Sequence, residues 1–202
     1  KPGSLAVLFS GHAPRKTGDE YYPFFSNRNF VYMTGIEQEN SILAAYKTDA
    51  AAEEILYLLP SDLIKERWTG KRLTETEAYD LSGIDSVKYL QEFRTALDQL
   101  IASNKVENLY LDFDKLTEEE PDHDSYKLAA YVNSRYPFVQ IKNLQPQLKK
   151  QRTIKKPCEI EAMKTAEQIT AAGIMAMMQA SKPGLYEYQY KAIFDYTLAD
   201  RG

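Results

Sequence analysis

The sequence predicts an α/β fold in which a mixed β-sheet is flanked by helices. Three observations carry this reading. Apolar runs of strand length alternate with stretches whose apolar residues recur at helical spacing. Two of the runs, 41–46 and 55–59, are joined by the small, polar segment 47–54, which suits a hairpin turn. No internal repeat or low-complexity stretch interrupts the alternation. Strands and helices that alternate after an opening hairpin build a mixed sheet with helices packed on it.

Each element has a local reason. Pro2-Gly3 is a turn, and Leu5-Ala6-Val7-Leu8-Phe9 is the unbroken apolar run of a strand buried on both faces. Residues 10–19, rich in Gly, Pro and charge, read as a loop. Phe30-Val31-Tyr32-Met33 reads as a strand ending at Thr34-Gly35. After the hairpin strands, Pro60 closes the second, and a loop carries Trp68-Thr69-Gly70-Lys71-Arg72. Thr74 is placed to cap a short helix over 75–81. Residues 87–90 make a short strand. Phe93, Leu97, Leu100 and Ile101 recur at helical spacing. Residues 108–111 form a strand, Asp124 or Ser125 caps a helix running to about Tyr136, and 139–141 form a last short strand.

The remainder has a different character. Residues 143–156 are polar, basic and interrupted by Pro146, which is linker composition. Pro157 then stands at a first helical position, with Glu159 and Glu161 near the positive helix end. Ile160, Met163, Ile169, Ile174, Met177 and Met178 give that helix an apolar side, and Met175 joins the last two as core filler. Lys182-Pro183-Gly184 stops it. Glu187 opens another helix with Tyr190, Ile193, Phe194 and Leu198 inward, and Gly202 is placed to cap it. Apolar helix faces need a partner layer. The expected organisation is therefore a first domain over 1–142, a linker over 143–156 and the incomplete start of a second domain over 157–202. Neither end reads as a native terminus, and the first residue is not an initiator Met.

Composition narrows the function classes. With 44% hydrophobic and 27% charged residues the chain reads as soluble and globular. Its net charge of -4 argues against a nucleic-acid surface. One cysteine excludes an internal disulfide and fits a reducing, cytoplasmic compartment. No apolar run reaches the roughly 18 residues of a membrane span, and the opening residues lack signal-peptide architecture.

Three stretches, in order along the chain, resemble one family together. The first opens with Asp19-Glu20-Tyr21-Tyr22-Pro23 and runs through a polar stretch to an aromatic segment ending in Thr34-Gly35. The second is Trp68-Thr69-Gly70-Lys71-Arg72, a Trp-x-Gly-basic-Arg segment. The third joins Arg152 and Pro157-Cys158-Glu159 to the helix break at Lys182-Pro183-Gly184. Together they resemble the Xaa-Pro aminopeptidases, in the peptidase group that also holds prolidase and creatinase. The resemblance implies a creatinase-type N-terminal domain followed by the first two helices of a pita-bread domain. It implies two divalent metal ions, commonly manganese, held by two Asp, a His and two Glu downstream of those helices. None of the five can be placed on this chain. It further implies a peptide substrate with proline in second position, and a homo-oligomer, dimer or tetramer. In such an assembly one subunit brings its Trp segment to the edge of a neighbour's active site. Where many members carry Arg after the second aromatic of the first stretch, this chain has Phe25.

The substrate-binding candidates are Trp68, Arg72 and Asp19. A loop tryptophan offers a flat apolar wall to a proline ring, or else plugs the loop against the core. The Arg72 guanidinium suits a peptide carboxylate or carbonyl, or else forms a surface ion pair. Asp19 aligns with an acidic residue that organises the face near the active site in relatives, or else caps loop N–H groups. Glu118-Glu119-Glu120-Pro121-Asp122-His123-Asp124 has metal-ligand residue types but the spacing of a solvated loop. His12 and His123 lie in no metal-binding repeat. Cys158 stands in a helix's first turn without a nucleophile's partner and reads as a buried or half-buried thiol. The expected role is the N-terminal, oligomerising and substrate-gating part of a Xaa-Pro aminopeptidase, inactive alone. The alternatives are prolidase, which the Trp68–Arg72 segment disfavours, a non-catalytic peptidase-like binding module, and a creatine-type amidinohydrolase.

Overall fold

The computed structural model describes residues 1–202. Its elements in chain order are β1 (Ser4–Phe9), β2 (Arg15–Thr17), β3 (Glu20–Tyr21), α1 (Arg28–Thr34), β4 (Ile42–Lys47), β5 (Ala52–Leu58), α2 (Glu66–Thr69) and α3 (Glu75–Ser82). There follow β6 (Ser86–Tyr89), α4 (Leu90–Ala102), β7 (Asn108–Leu111), α5 (Asp124–Arg135), β8 (Gln140–Asn143), α6 (Gln145–Thr153), α7 (Pro157–Ala180) and α8 (Glu187–Arg201). The chain divides into two compact units, Lys1–Lys149 and Lys150–Gly202.

The first unit is a mixed sheet in the order β6-β5-β4-β1-β7-β8. β4 pairs antiparallel with β1 and β5, and the other pairings are parallel. β4 thus runs against every other strand of the sheet. Alternation along the strands sends successive side chains to opposite faces. Leu5 and Val7 of β1 and Leu109 and Leu111 of β7 join Phe93, Leu97 and Ile101 of α4 and Leu128 and Val132 of α5 in one apolar cluster. Leu8, Leu43 of β4 and Leu56 and Leu58 of β5 join Phe30 of α1, Ala78 of α3 and Leu148 of α6 in a second. The sheet is the middle layer between two helical layers, so β1 has to be apolar throughout. Phe93 sits edge-on to Tyr57 and Phe9, at centroid distances of 5.3 and 6.3 Å.

Residues 30–33, expected as a strand ending at Thr34-Gly35, lie instead in helix α1. The Asn27 side chain caps it, accepting from the N–H groups of Asn29 at 2.9 Å and Phe30 at 3.0 Å. Gly35, at φ 70°, ends it by donating its N–H to the Val31 carbonyl at 2.7 Å. The buried residues Phe30 and Thr34 are one helical repeat apart. A four-residue apolar run is too short to separate the two periodicities, and the end signals at Asn27 and Gly35 decide it.

Three further expectations shift. The loop over 10–19 contains β2, which pairs with β3 just beyond it in a ribbon whose strand residues are all exposed and therefore show no apolar alternation. Helix α5 starts one residue after His123, and neither Asp124 nor Ser125 caps it. Asp124 instead accepts from Lys127 Nζ at 3.2 Å. Helix α6 occupies most of 143–156, with Leu148 buried in the second cluster.

The second unit is the helix pair α7 and α8. Its buried residue is Gly173. A Cβ there would lie 2.6 Å from the Leu198 side chain and 2.7 Å from Phe194, so the helices meet at the one residue that lets them. Met175 and Met178, expected as core filler, are exposed, as is Cys158, because the first turn of α7 buries none of its side chains. No helix is long and apolar enough to cross a membrane.

Candidate functional site

Every strand of the sheet except β4 ends on the same edge. The long connections of the first unit therefore start there: 10–41 after β1, 59–74 after β5 and 112–123 after β7. Ligand sites of open α/β sheets gather at this edge, because the scaffold holds loop side chains without burying them. The candidates Asp19, Trp68 and Arg72 all lie in these connections.

The loop after β5 is ordered by polar bonds. Asp62 Oδ1 accepts from the N–H groups of Ile64 and Lys65, both at 3.2 Å, and its carbonyl accepts from Glu66 N–H at 2.8 Å. That turn starts α2, a single helical turn containing Trp68. Glu66 reaches back, its Oε1 accepting from Ser61 Oγ and Asp62 N–H, each at 2.8 Å. Arg72 Nη1 donates to the Pro60 carbonyl at 2.5 Å, joining the two ends of the loop. Leu73 N–H donates to Gln38 Oε1 at 2.7 Å, and a capping box of Thr74 and Glu77 starts α3. Lys71 Nζ donates to Glu77.

The charges agree with these bonds. Hydrogen bonds from the Lys65 and Ile64 backbones hold the Asp62 carboxyl below its usual range, with help from the charges of Lys65 and Arg72. Glu66 is lowered first by Asp62 N–H, then by Ser61, and further by the Arg72 backbone N–H and guanidinium. Glu77 is lowered to about 2, chiefly by Lys71 and then by Thr74.

Against this ordered frame stand side chains with no cover. Trp68 is 88% exposed, and Leu63 and Ile64 are 77% and 74% exposed. Trp68 thus does not plug the loop against the core. Arg72 is half-buried, with its guanidinium on Pro60 and near two carboxylates. Asp19 lies exposed in the turn of the β2–β3 ribbon. No hydrogen bond or ion pair joins Asp19 to the Trp68 loop. Tyr21, Tyr22 and Phe25, which continue the Asp19 stretch, are exposed aromatics, Phe25 by 75%.

The rest of the edge is tied down differently. Asp112, just past β7, is 3% exposed and accepts from Asn29 Nδ2 at 2.8 Å and Gln145 Nε2 at 2.7 Å, pinning α1 and α6 to the strand end. Asp114 accepts from Asn27 Nδ2 at 3.1 Å. Partial burial, and then the Asp112 charge, raise its pKa. A cavity of about 210 Å³ opens beside the end of β1, lined by Phe9, Ile42, Phe93, Arg94 and Lys127 among others. In the acidic loop, Lys115 pairs with Asp122 at 3.1 Å and His123 approaches Glu120 at 3.9 Å. No group of three His, Cys, Asp or Glu side chains is arranged to hold a metal ion. The sequence reading missed Asp62, Glu66 and Asp112. Pro60-Ser61-Asp62 was the available signal for the turn, whereas nothing local announces the partners of Asp112.

Comparison with known proteins agrees with this arrangement. The family model described as aminopeptidase P, N-terminal domain, matches residues 1–110, from β1 into β7, with both the Asp19 and Trp68 segments. The Xaa-Pro aminopeptidase of Haemophilus influenzae is 30% identical over 192 residues, 95% of this chain and 42% of that protein. That of Escherichia coli K12 is 27% identical over 193 residues, 93% of this chain and 43% of that protein. Among solved structures, a Bacillus anthracis protein assigned to aminopeptidase P superposes with a TM-score of 0.93 at 35% identity, over 100% of this chain and 48% of that one. Zinc-substituted E. coli aminopeptidase P in complex with product gives 0.81 at 26% identity, over 100% and 46%. The chain thus spans less than half the length of these relatives. Sheet order, loop placement and the matched residues lead to one conclusion: the chain belongs to the aminopeptidase P N-terminal domain family.

Proposed function

We propose that these residues are the N-terminal part of a Xaa-Pro aminopeptidase, which removes an N-terminal residue preceding proline, and that they supply a wall of its substrate site. One observation carries the proposal: Trp68 stands 88% exposed on a loop whose frame is held by hydrogen bonds of Asp62, Glu66 and Arg72. An indole held out by an ordered frame offers a flat apolar surface against which a proline ring stacks with little ordering cost. Arg72 and Asp19 complete the proposed substrate-facing set, on the same edge of the sheet. The family resemblance implies that one subunit's Trp segment reaches a neighbour's active site, so the parent is proposed as a homo-oligomer, dimer or tetramer, working in the cytoplasm. The two divalent metals of the reading, proposed as manganese, find no fitting cluster among these residues. Their ligands are assigned to the rest of the parent.

The test is kinetic. In the parent enzyme, Trp68→Ala raises KM for a tripeptide with proline second by about tenfold and changes kcat by less than about twofold, the pattern of a lost binding surface. Unchanged KM removes Trp68 from the site. Cleavage of the Xaa-Pro dipeptide alone makes the parent a prolidase, and no cleavage of either peptide makes it a binding module.

A further inference from the structure

The residue that most shapes the Trp68 surface is one whose side chain bonds back to the main chain at the other end of the loop. We infer that Arg72 is a positioning residue: it clips the loop's ends together and, with Glu66 and Asp62, fixes the direction in which Trp68 is presented. This rests on the reading of Trp68 as a substrate wall, and it changes the part assigned to Arg72 within it.

A series of bonds runs from Arg72 through the loop to Trp68. The Arg72 guanidinium holds the Pro60 carbonyl across twelve positions of chain. The Glu66 carboxylate takes the Ser61 hydroxyl and Asp62 N–H, and the Arg72 backbone and charge help to lower its pKa. Asp62 in turn orders Ile64 and Lys65, and the Lys65 carbonyl accepts from Trp68 N–H at 2.9 Å and Thr69 N–H at 3.0 Å. The series therefore ends on the backbone of Trp68 itself. Helix α2 has only four residues, far too few to persist without such support. None of the loop's side chains is buried, so apolar packing does not order it. A guanidinium suits the clip because its planar fork offers donors in several fixed directions, and a lysine at the same place offers a single compact charge on a flexible stem.

Trp68 is the only tryptophan of the chain, so its fluorescence reads this loop alone. The experiment measures time-resolved anisotropy of Trp68 in the 202-residue chain with Arg72→Ala, Arg72→Lys and Glu66→Ala. Circular dichroism and the melting transition establish that each variant stays folded. Arg72→Ala and Glu66→Ala are expected to raise the amplitude of fast local motion about twofold, and Arg72→Lys to recover less than about half of the lost order. In the parent enzyme, Arg72→Ala then raises KM no more than Trp68→Ala does, and adding it to Trp68→Ala costs little more, because both act through one surface. Wild-type anisotropy in the two disruptive variants overturns the inference. So does full additivity of the two substitutions in KM, which makes Arg72 a direct substrate contact. Loosened anisotropy together with an unaffected KM for Trp68→Ala supports the positioning series and overturns the substrate-wall reading instead.

Discussion

Helix α4 buries Phe93, Leu97 and Ile101 against the sheet, whereas no side chain of the loop over 60–72 is more than half-buried. The two segments are similar in length and close to one another in the chain. In α4 the apolar residues recur every four positions and the sheet supplies the partner surface. Burial of each is worth roughly 1.5–3 kcal/mol. In the loop, a short series of hydrogen bonds among Pro60, Asp62, Glu66 and Arg72 replaces that burial. Each such bond nets only about 0.5–1.5 kcal/mol. The difference teaches where a protein can afford an exposed tryptophan: on a segment whose order does not draw on apolar contact.

The largest test of this contrast is Leu97→Ala. Leu97 is 3% exposed at the centre of the α4 face. Its loss is expected to cost about 2–5 kcal/mol in chemical denaturation, transfer and cavity terms together. The emission of Trp68 in the folded state stays as in the wild type, since the loop draws nothing from that cluster. A cost below about 1 kcal/mol, or a shifted Trp68 spectrum, breaks the separation of the two regions.

The same contrast explains what the sequence showed and what it hid. The apolar run 5–9, the hairpin and the spacing of Phe93, Leu97 and Ile101 report burial, and burial is written locally as periodicity. Phe30 misled because four apolar residues fit either period. The β2–β3 ribbon and α6 have almost nothing buried, so they left almost no apolar signature. Polar order is written in pairs distant along the chain. Asp112 bonds residues 83 positions before it and 33 after it, and Arg72 bonds one twelve before. Residue type and the family resemblance of their segment singled out Trp68 and Arg72. That the first is uncovered and the second tied to Pro60 needed coordinates.

A smaller effect is expected from acid. Asp62, Glu66 and Glu77 are all held below their ordinary pKa values in the folded chain, Glu77 at about 2. For lowered carboxylates the sign is fixed. Their stabilisation is fully present above the unfolded values of 3.8 and 4.5, and it fades as pH falls through the folded ones, for Glu77 towards about 2. Trp68 is therefore expected to gain local mobility between about pH 4.5 and 2, starting before the far-UV signal of the sheet changes. Salt reduces the change, because all three groups face solvent. Simultaneous loss of both signals makes loop and core one cooperative unit and removes the distinction.

The smallest expected effect carries the most meaning. Trp68→Ala removes the largest kind of side chain, yet at 88% exposure it takes almost nothing out of the fold. Its cost, followed by circular dichroism in urea, is expected within about 0.5 kcal/mol of zero. A buried aromatic lost in the same way costs about 3–5 kcal/mol. Were Trp68→Ala to cost that much, the indole would be a structural plug and the loop an ordinary piece of core. A cost near zero means that the polar series orders the loop without help from its most apolar residue. The indole surface is then free to meet a partner outside its own fold, and the peptide kinetics of the parent decide whether that partner is the substrate.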